Sequence, residues 1–353
     1  MTDTRANADD EGIWPDDLLN AEEIRAWIAS ALPGNPTIAG PEHVYQSKEW
    51  GVTARFAVTW LAVAERRALP PESVVFKASL LPLFAHAPNV YTLLTRHCPG
   101  AVPDLLAWTP TGSGAWMLFA SFGGVSVDAL PGLAPLLDVA RTLAGIQATI
   151  ATLSASETAG IPCVYPRDFP ALFEAVLADV RARQLAFWRG EGRDLAEQFA
   201  LPDNVDVLLE NYRPHIARWA ADLEAGGWPL SLDHVDLQPD NAAVQPNGSV
   251  LLYDWEEANL SVPFFSLDRL LDDAQERAGD AGEAALRAAY LDALPWSTRA
   301  ARERALTLAL CLSPLKHAYE GLRFADALGW EEGLPHVTAW AAARMLARWE
   351  AMM

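Results

Sequence analysis

Lysine is almost missing from this chain. Only Lys48, Lys77 and Lys316 occur, and the rest of its 26 basic residues are arginine, against 46 acids and a formal net charge of −20. So few bases argue against nucleic acid or an anionic membrane surface as the main partner. The excess of acid favours neutral or cationic small ligands, although it also serves solubility alone. Cysteine is as scarce. Cys98, Cys163 and Cys311 are widely spaced and show neither metal spacing nor a disulfide framework, which suits reduced thiols in a cytoplasmic protein. The opening residues, MTDTRANADDEG, lack the basic-then-apolar order of a secretory signal. No uncharged apolar run reaches the ~18 residues that a membrane span needs. Internal repeats and low-complexity segments are absent too.

What remains is a globular composition, with 353 residues, 51% of them apolar, and 14 Trp. That is long for one core and enough for two lobes. Residues 1–12 read as a disordered tail. Residues 16–32 carry apolar side chains at helical spacing behind acids, and Pro33, Gly34 and Pro36 stop them. FAVTWLAVA (56–64) and SVVFKASL (73–80) are β-branched and aromatic, with ALPPE as the turn between them. NVYTLLTRHC (89–98) reads as a helix, and LLAWTP and AWMLFASF read as two more strands joined by TGSG. This order predicts a small sheet with one helix against it. After SFGGVSVDALPG (121–132) the pattern turns helical, over 133–153, 169–199, 204–225, 266–277, 281–293, 298–327 and 336–351, with one short β region at 242–254. The expectation is an α+β, bilobal chain: a β-rich lobe over 13–120, a hinge over 121–132 and a helical lobe over 133–353.

The densest chemistry lies in LDHVDLQPDNAAVQPNGSVLLYDWEEA (232–258). Asn247-Gly248 favours a two-residue hairpin turn. That turn would pair Gln245 with Val250, Ala243 with Leu252 and Asn241 with Asp254. Opposed residues on a hairpin hold their Cβ atoms about 4.5–5.5 Å apart. An amide oxygen and a carboxylate so placed could share one hard cation, and magnesium takes one or two such protein ligands along with waters and phosphate oxygens. Asp236 precedes Asn241 on the loop, within reach of a hydroxyl held beside a metal-bound phosphate. His234 stands before it, suited to holding the loop by packing and hydrogen bonding. The spacing is His-x-Asp-x-x-x-x-Asn, that of kinase catalytic loops. Phosphoryl transfer needs these parts because its transition state is loose and charged, so the protein positions, neutralises and accepts a proton. Turn chemistry alone also enriches Asp and Asn, but it does not explain an aspartate placed straight after an apolar strand.

With these residues the sequence resembles the aminoglycoside phosphotransferase and choline kinase-like superfamily, through HVDLQPDN, then LLYDWEEA, then PFFSLDRLL (263–271). The resemblance implies a protein-kinase-like fold with Asp236 as catalytic base and Asn241 and Asp254 as Mg2+ ligands. It implies that Asp268 starts a helix and braces the catalytic loop. ATP is the implied donor, with GTP left open. Lys77, ending SVVFK, resembles the phosphate-binding strand lysine, and a compact ammonium fits that role in a chain that otherwise prefers Arg. Gly51 would be the turn of the phosphate-covering hairpin, and Ser121, Phe122 and Gly123 would meet the base. The acceptor, a hydroxylated small molecule, would be held by residues after 255 such as Glu257, Asp272 or Glu320. The chain departs from the pattern in three places: 81–97 has no acid to pair Lys77, FASFGG lacks an acidic residue, and Gln147 replaces a frequent histidine. Glu42 and Glu49 are the alternative partners for Lys77. The competing readings are a catalytically silent kinase-like nucleotide-binding protein and, more weakly, a metal-dependent hydrolase. A monomer or weak homodimer is expected.

Overall fold

The computed structural model describes residue 19 and residues 21–60, 71–330 and 335–352. The expected tail at 1–12, the end of the strand expected at 56–64 and part of the ALPPE turn lie outside them. The chain divides into two compact units: one holds the chain up to Ala85 with Asp104–Phe122, and the other holds His86–Pro103 with the chain from Gly123 onward.

The first unit opens with helix α1 (Glu22–Ala31), then strands β1 (Thr37–Lys48), β2 (Gly51–Thr59) and β3 (Ser73–Ser79). Helix α2 (Ala87–His97) follows in sequence, then β4 (Leu105–Pro110) and β5 (Ala115–Ala120). The five strands form one antiparallel sheet in the order β1-β2-β3-β5-β4. Alternation builds its core, because every second residue of a strand faces the same side. Val52, Ala54, Phe56 and Val58 from β2 and Val74, Phe76 and Ala78 from β3 are buried with Ile24 and Ile28 of α1. Each large apolar side chain so buried contributes about 1.5–3 kcal/mol. Trp27 of α1 meets Phe76 and Trp116 edge-on at 5.9 and 5.7 Å. The helix against this sheet is therefore α1. The helix expected to fill that role, α2, groups with the second unit.

Gly51 is not the turn residue of the first hairpin. Lys48 pairs with Gly51, so Glu49 and Trp50 make the turn and Gly51 begins β2. Its lack of a side chain answers a close approach instead, since a Cβ there would lie 3.0 Å from the Ala78 carbonyl oxygen.

The second unit runs through β6 (Val125–Ser126), α3 (Ala134–Ile150), α4 (Phe169–Asp179), α5 (Leu185–Arg189), α6 (Arg193–Gln198), α7 (Val205–Glu210) and α8 (Arg213–Ala225). Then come β7 (Ser231–Asp233), β8 (Ala242–Val244), β9 (Val250–Leu252), β10 (Asn259–Ser261), α9 (Asp268–Ala293), α10 (Arg299–Leu328) and α11 (Pro335–Ala351). The helix expected over 169–199 is broken. A π-helical turn at Val180–Gln184 widens it, and Gly190 and Gly192 then interrupt it. Glycine gives up about 1 kcal/mol of helix propensity. The helix expected over 204–225 stops before Pro214, whose ring lacks the N–H a continuing helix would use. The break foreseen between 277 and 281 is a kink inside α9, at Ala278 and Gly279. No described helix is long and apolar enough to cross a membrane.

Candidate active site

Two short antiparallel pairs carry the site. In the first, β7 lies against β10 with Asp233 opposite Asn259. In the second, β8 and β9 form a hairpin joined at its other edge to β6. The hairpin register differs by one residue from the expected one. Ala242 faces Leu252, Ala243 faces Leu251 and Val244 faces Val250. The loop has three residues, because the Gly248 N–H donates to the Gln245 carbonyl at 2.8 Å and the Gln245 N–H to that of Ser249 at 2.8 Å. Proline fits the second position of a type I turn, and Gly248, at φ +84°, takes the left-handed position that closes such a loop. Asn241 therefore stands opposite Tyr253, whose N–H donates to the Asn241 carbonyl at 3.0 Å. Asn241 and Asp254 are not a cross-strand pair.

Asp254 reaches its place another way. Its backbone is left-handed, at φ +67°, which ends the strand abruptly. The Tyr91 hydroxyl of α2 holds that bend by accepting the N–H groups of Asp254 and Trp255, each at 3.1 Å. Asn241 closes a 3-10 turn at Pro239–Asn241. Its amide nitrogen donates to the Asp236 carbonyl at 2.8 Å and, at 3.3 Å, to Asp236 Oδ2. The amide is thereby oriented with its oxygen turned away from Asp236.

The loop before Asp236 is strained. Val235, a buried β-branched residue, has φ +69°, and the Asp236 N–H donates to the His234 carbonyl across it at 2.9 Å. That is a γ-turn of the rare hand. Such backbone costs about 1–3 kcal/mol and persists only where its surroundings over-determine it. Here those surroundings are a buried polar network. Asp233 Oδ1 accepts from Ser266 Oγ at 2.6 Å and from the Val235 N–H at 3.2 Å, and Ser266 Oγ accepts the His234 N–H at 2.9 Å. The Lys316 ammonium donates to Asp233 Oδ2 and, at 3.0 Å, to Asn259 Oδ1. Burial pushes the Asp233 carboxyl up, but Lys316 and the other donors outweigh it and hold the group below its ordinary range. Gln147 supports the same strand from α3, donating to the Leu232 carbonyl at 2.9 Å and accepting the Tyr290 hydroxyl at 2.6 Å.

His234 is fully buried, stacks on Trp255 at 4.4 Å and uses Nε2 on the Tyr253 carbonyl at 2.9 Å. Burial lowers its pKa, so it is neutral and braces the loop without touching solvent. Asp236 is partly exposed, its side chain 32% accessible. Oδ1 accepts from Gln238 at 2.8 Å and from the Arg269 guanidinium.

Asp268 starts α9 as expected, but its carboxylate does not meet the catalytic loop. It binds Arg344 at 2.9 Å and Arg348, both on α11, with His317 at 3.6 Å, and these partners hold it far below the carboxylate range despite its burial. Ser266 and Asp233 brace the loop instead. Asp272 is half-exposed and paired with Arg344 at 2.5 Å. Glu257 and Glu320 fare differently. Desolvation, then the charges of Asp236, Glu320 and Asp254, push the Glu257 carboxyl well above its ordinary value. Glu320 is buried, bound to Arg323 through Oε2 at 2.8 Å, and its Oε1 has no hydrogen-bond partner. In the first unit, Lys77 is buried within β3, at 6% exposure, so its head is not in water. Glu42 pairs with Arg55 at 3.3 Å. Ser121, Phe122 and Gly123 form an irregular segment after β5.

The sequence reading missed Asp233, Ser266, Asn259, Tyr91 and Arg269. Lys316 alone gave a signal, as one of three lysines in an arginine-rich chain.

No protein-family model and no curated protein sequence matches the chain. Solved structures do. The chain is similar to an ethanolamine kinase of Plasmodium vivax, with a TM-score of 0.58 and 10% identity over 93% of this chain and 88% of that one. It is similar to a choline kinase of Cryptosporidium parvum Iowa II, with a TM-score of 0.56 and 12% identity over 94% and 95%. It also resembles a thermostable mutant of aminoglycoside phosphotransferase APH(4)-Ia solved with AMP-PNP and hygromycin B, with a TM-score of 0.54 and 16% identity over 94% and 99%. A five-stranded sheet followed by a large helical region is thus a protein-kinase-like fold. More narrowly, it is the fold shared by these ethanolamine kinase, choline kinase and aminoglycoside phosphotransferase structures.

Proposed function

We propose that this protein is a small-molecule kinase that transfers the γ-phosphoryl group of ATP to a hydroxyl of a polyhydroxylated or cationic acceptor. One observation carries the reading. A partly exposed carboxylate, Asp236, is held on a strained loop beside an amide whose oxygen is turned away from it. In this reading Asp236 accepts the acceptor's hydroxyl proton as that oxygen bonds to the γ-phosphorus and the bond from phosphorus to the nucleotide's bridging oxygen breaks, leaving ADP.

The residues fit magnesium. The donors are oxygens, Asn241 Oδ1 accepts no hydrogen bond among the described residues, and Asp254 supplies a carboxylate. Among the described residues there is no cluster of three or more His, Cys, Asp or Glu for a metal, but magnesium beside phosphates needs only one or two protein ligands. Asn241 and Asp254 would hold it, and it would neutralise phosphate charge. Lys77 is assigned to the phosphates, and Ser121, Phe122 and Gly123 to the base.

On the acceptor side the charge count narrows. Asp268, Asp272 and Glu320 are each paired with an arginine, while Glu257 senses the charges of Asp236, Glu320 and Asp254, so these acids make one negative region. An amino alcohol or amino sugar suits them. The test is an acceptor panel with ATP and magnesium, read by mass spectrometry for a gained phosphoryl group. The wild type should transfer and Asp236→Asn should not, while both bind nucleotide. Nucleotide binding with no transfer to any acceptor would favour the silent-kinase alternative. Near-normal turnover by Asp236→Asn would remove Asp236 from the chemistry.

A further inference from the structure

We propose that Arg269 is a positioning residue for Asp236, and that Trp340 on α11 holds Arg269 in place; the inference rests on the kinase reading above. The two oxygens of Asp236 are treated unequally. Oδ1 carries two donors, the Arg269 guanidinium and Gln238 Nε2 at 2.8 Å. Among the described residues Oδ2 has only the long contact from Asn241 at 3.3 Å. The carboxylate is thus pinned by one oxygen and presents the other. A carboxyl group pinned at Oδ1 cannot rotate freely about its last bond, so the Oδ2 lone pairs keep one direction. A proton acceptor is useful only when it is within hydrogen-bond reach of the hydroxyl in the right orientation.

Arg269 is itself supported on its other side. Its guanidinium carbon lies 5.4 Å from the centre of the Trp340 ring. Arg344 lies 4.9 Å from the same ring, and His317 meets it edge-on at 5.5 Å. An aromatic face attracts a guanidinium and matches its plane, which an ammonium does not do as well. The neighbouring residue, Asp268, is locked to Arg344 and Arg348 of α11, so the start of α9 and the face of α11 are fixed together. Arg269 therefore reaches Asp236 from a rigid base. At 29% exposure its side chain is also open to small solutes.

The experiment compares the wild type with Arg269→Gln, Arg269→Lys and Trp340→Leu, using the acceptor that the panel identifies. Turnover, acceptor KM and nucleotide affinity are measured for each, with a thermal melt to show folding. Misplacing a catalytic group by about 1 Å can cost on the order of 100-fold. Arg269→Gln should lose about 10- to 100-fold in kcat, with acceptor KM and nucleotide affinity changed less than about threefold. Arg269→Lys should recover part of the loss, and Trp340→Leu should show a smaller loss of the same kind. Added guanidinium at millimolar concentration should raise the turnover of Arg269→Gln but not of the wild type. A purely structural role would give no such rescue. A kcat within about threefold of the wild type would overturn the inference alone. So would a rise in acceptor KM at unchanged kcat, which would make Arg269 a binding group for the acceptor. A folded variant that guanidinium does not rescue would overturn it too. Failure of the wild type to phosphorylate any acceptor would overturn the kinase reading and this inference with it.

Discussion

Replacing Lys316 with Met should test the network beneath the catalytic loop. In the wild type, Asp233 and Lys316 have side chains only 1% and 3% exposed, and Asn259 and Ser266 complete the shell. Methionine fits the space but leaves a carboxylate buried against Ser266 and the Val235 N–H. Breaking a buried pair by removing one partner costs about 3–5 kcal/mol. For a unit this size the melting temperature should fall by roughly 2–4 °C per kcal/mol, or about 6–20 °C in all. The loss should depend on pH. Wild-type Asp233 is held below its ordinary range, so its contribution is complete at neutral pH and is lost only in strong acid. Without Lys316, burial dominates and the carboxyl pKa rises. The penalty is then largest at high pH and shrinks as the pH falls and Asp233 takes up a proton. His234 works in the opposite sense to the variant's Asp233: its pKa is lowered by burial, so acid destabilises the fold as the unfolded chain protonates first. Because both proteins carry it, the quantity to read is the difference between variant and wild type at each pH. Melts of both proteins from pH 5 to pH 8 measure that difference. The double variant Asp233→Asn with Lys316→Met should recover more than half of the loss. A single variant melting within about 2 °C of wild type at neutral pH, or a deficit that does not shrink in acid, would refute the reasoning.

Three further outcomes are expected. Tyr91→Phe removes the acceptor for two backbone N–H groups at the Asp254 bend and should cost about 1–3 kcal/mol, with weaker magnesium-dependent nucleotide binding; unchanged melting and binding would deny Tyr91 that role. Asp254→Ala should weaken magnesium-dependent nucleotide binding more than Asn241→Ala, as titration calorimetry with and without metal would show, and activity surviving removal of all divalent metal would argue against both as ligands. Of two acceptors differing only by an amine, the amine should be preferred, and less so as salt rises; preference for a carboxylate-bearing acceptor would discard the cationic assignment while leaving the kinase reading intact.

The sheet was legible because half-buried strands alternate. Val52 to Val58 and Val74 to Ala78 each write that period into the sequence. The candidate loop stood out because the spacing His-x-Asp-x-x-x-x-Asn matches that of kinase catalytic loops. The hairpin register was not, since Asn-Gly points to a two-residue turn, whereas Pro246 and Gly248 build a three-residue one. The partner of α1 was misjudged for a related reason: nearness in sequence suggested α2 for the sheet, while Trp27 and Ile28 had the side chains to cover it. The supports of the loop were out of reach. Lys316 meets Asp233, and Tyr91 meets Asp254, only through tertiary folding across separations of 83 and 163 residues. No local pattern encodes such pairings. Charge counting overstated the unpaired acids, because Asp268 and Asp272, two of the five acids over 255–275, pair with arginines on α11.

Those separations set an order on synthesis. Asp233 is made 83 residues before Lys316, and Asp268 is made 76 and 80 residues before Arg344 and Arg348. At ~5–20 residues per second, each acid waits roughly 4–16 s for its base. Through that interval the nascent chain carries the catalytic motif without the groups that hold its strained turn, and the cost of burying an unmatched carboxylate keeps the loop open to water. On the kinase reading, the growing polypeptide displays Asp236 before the residues that support its loop have been made.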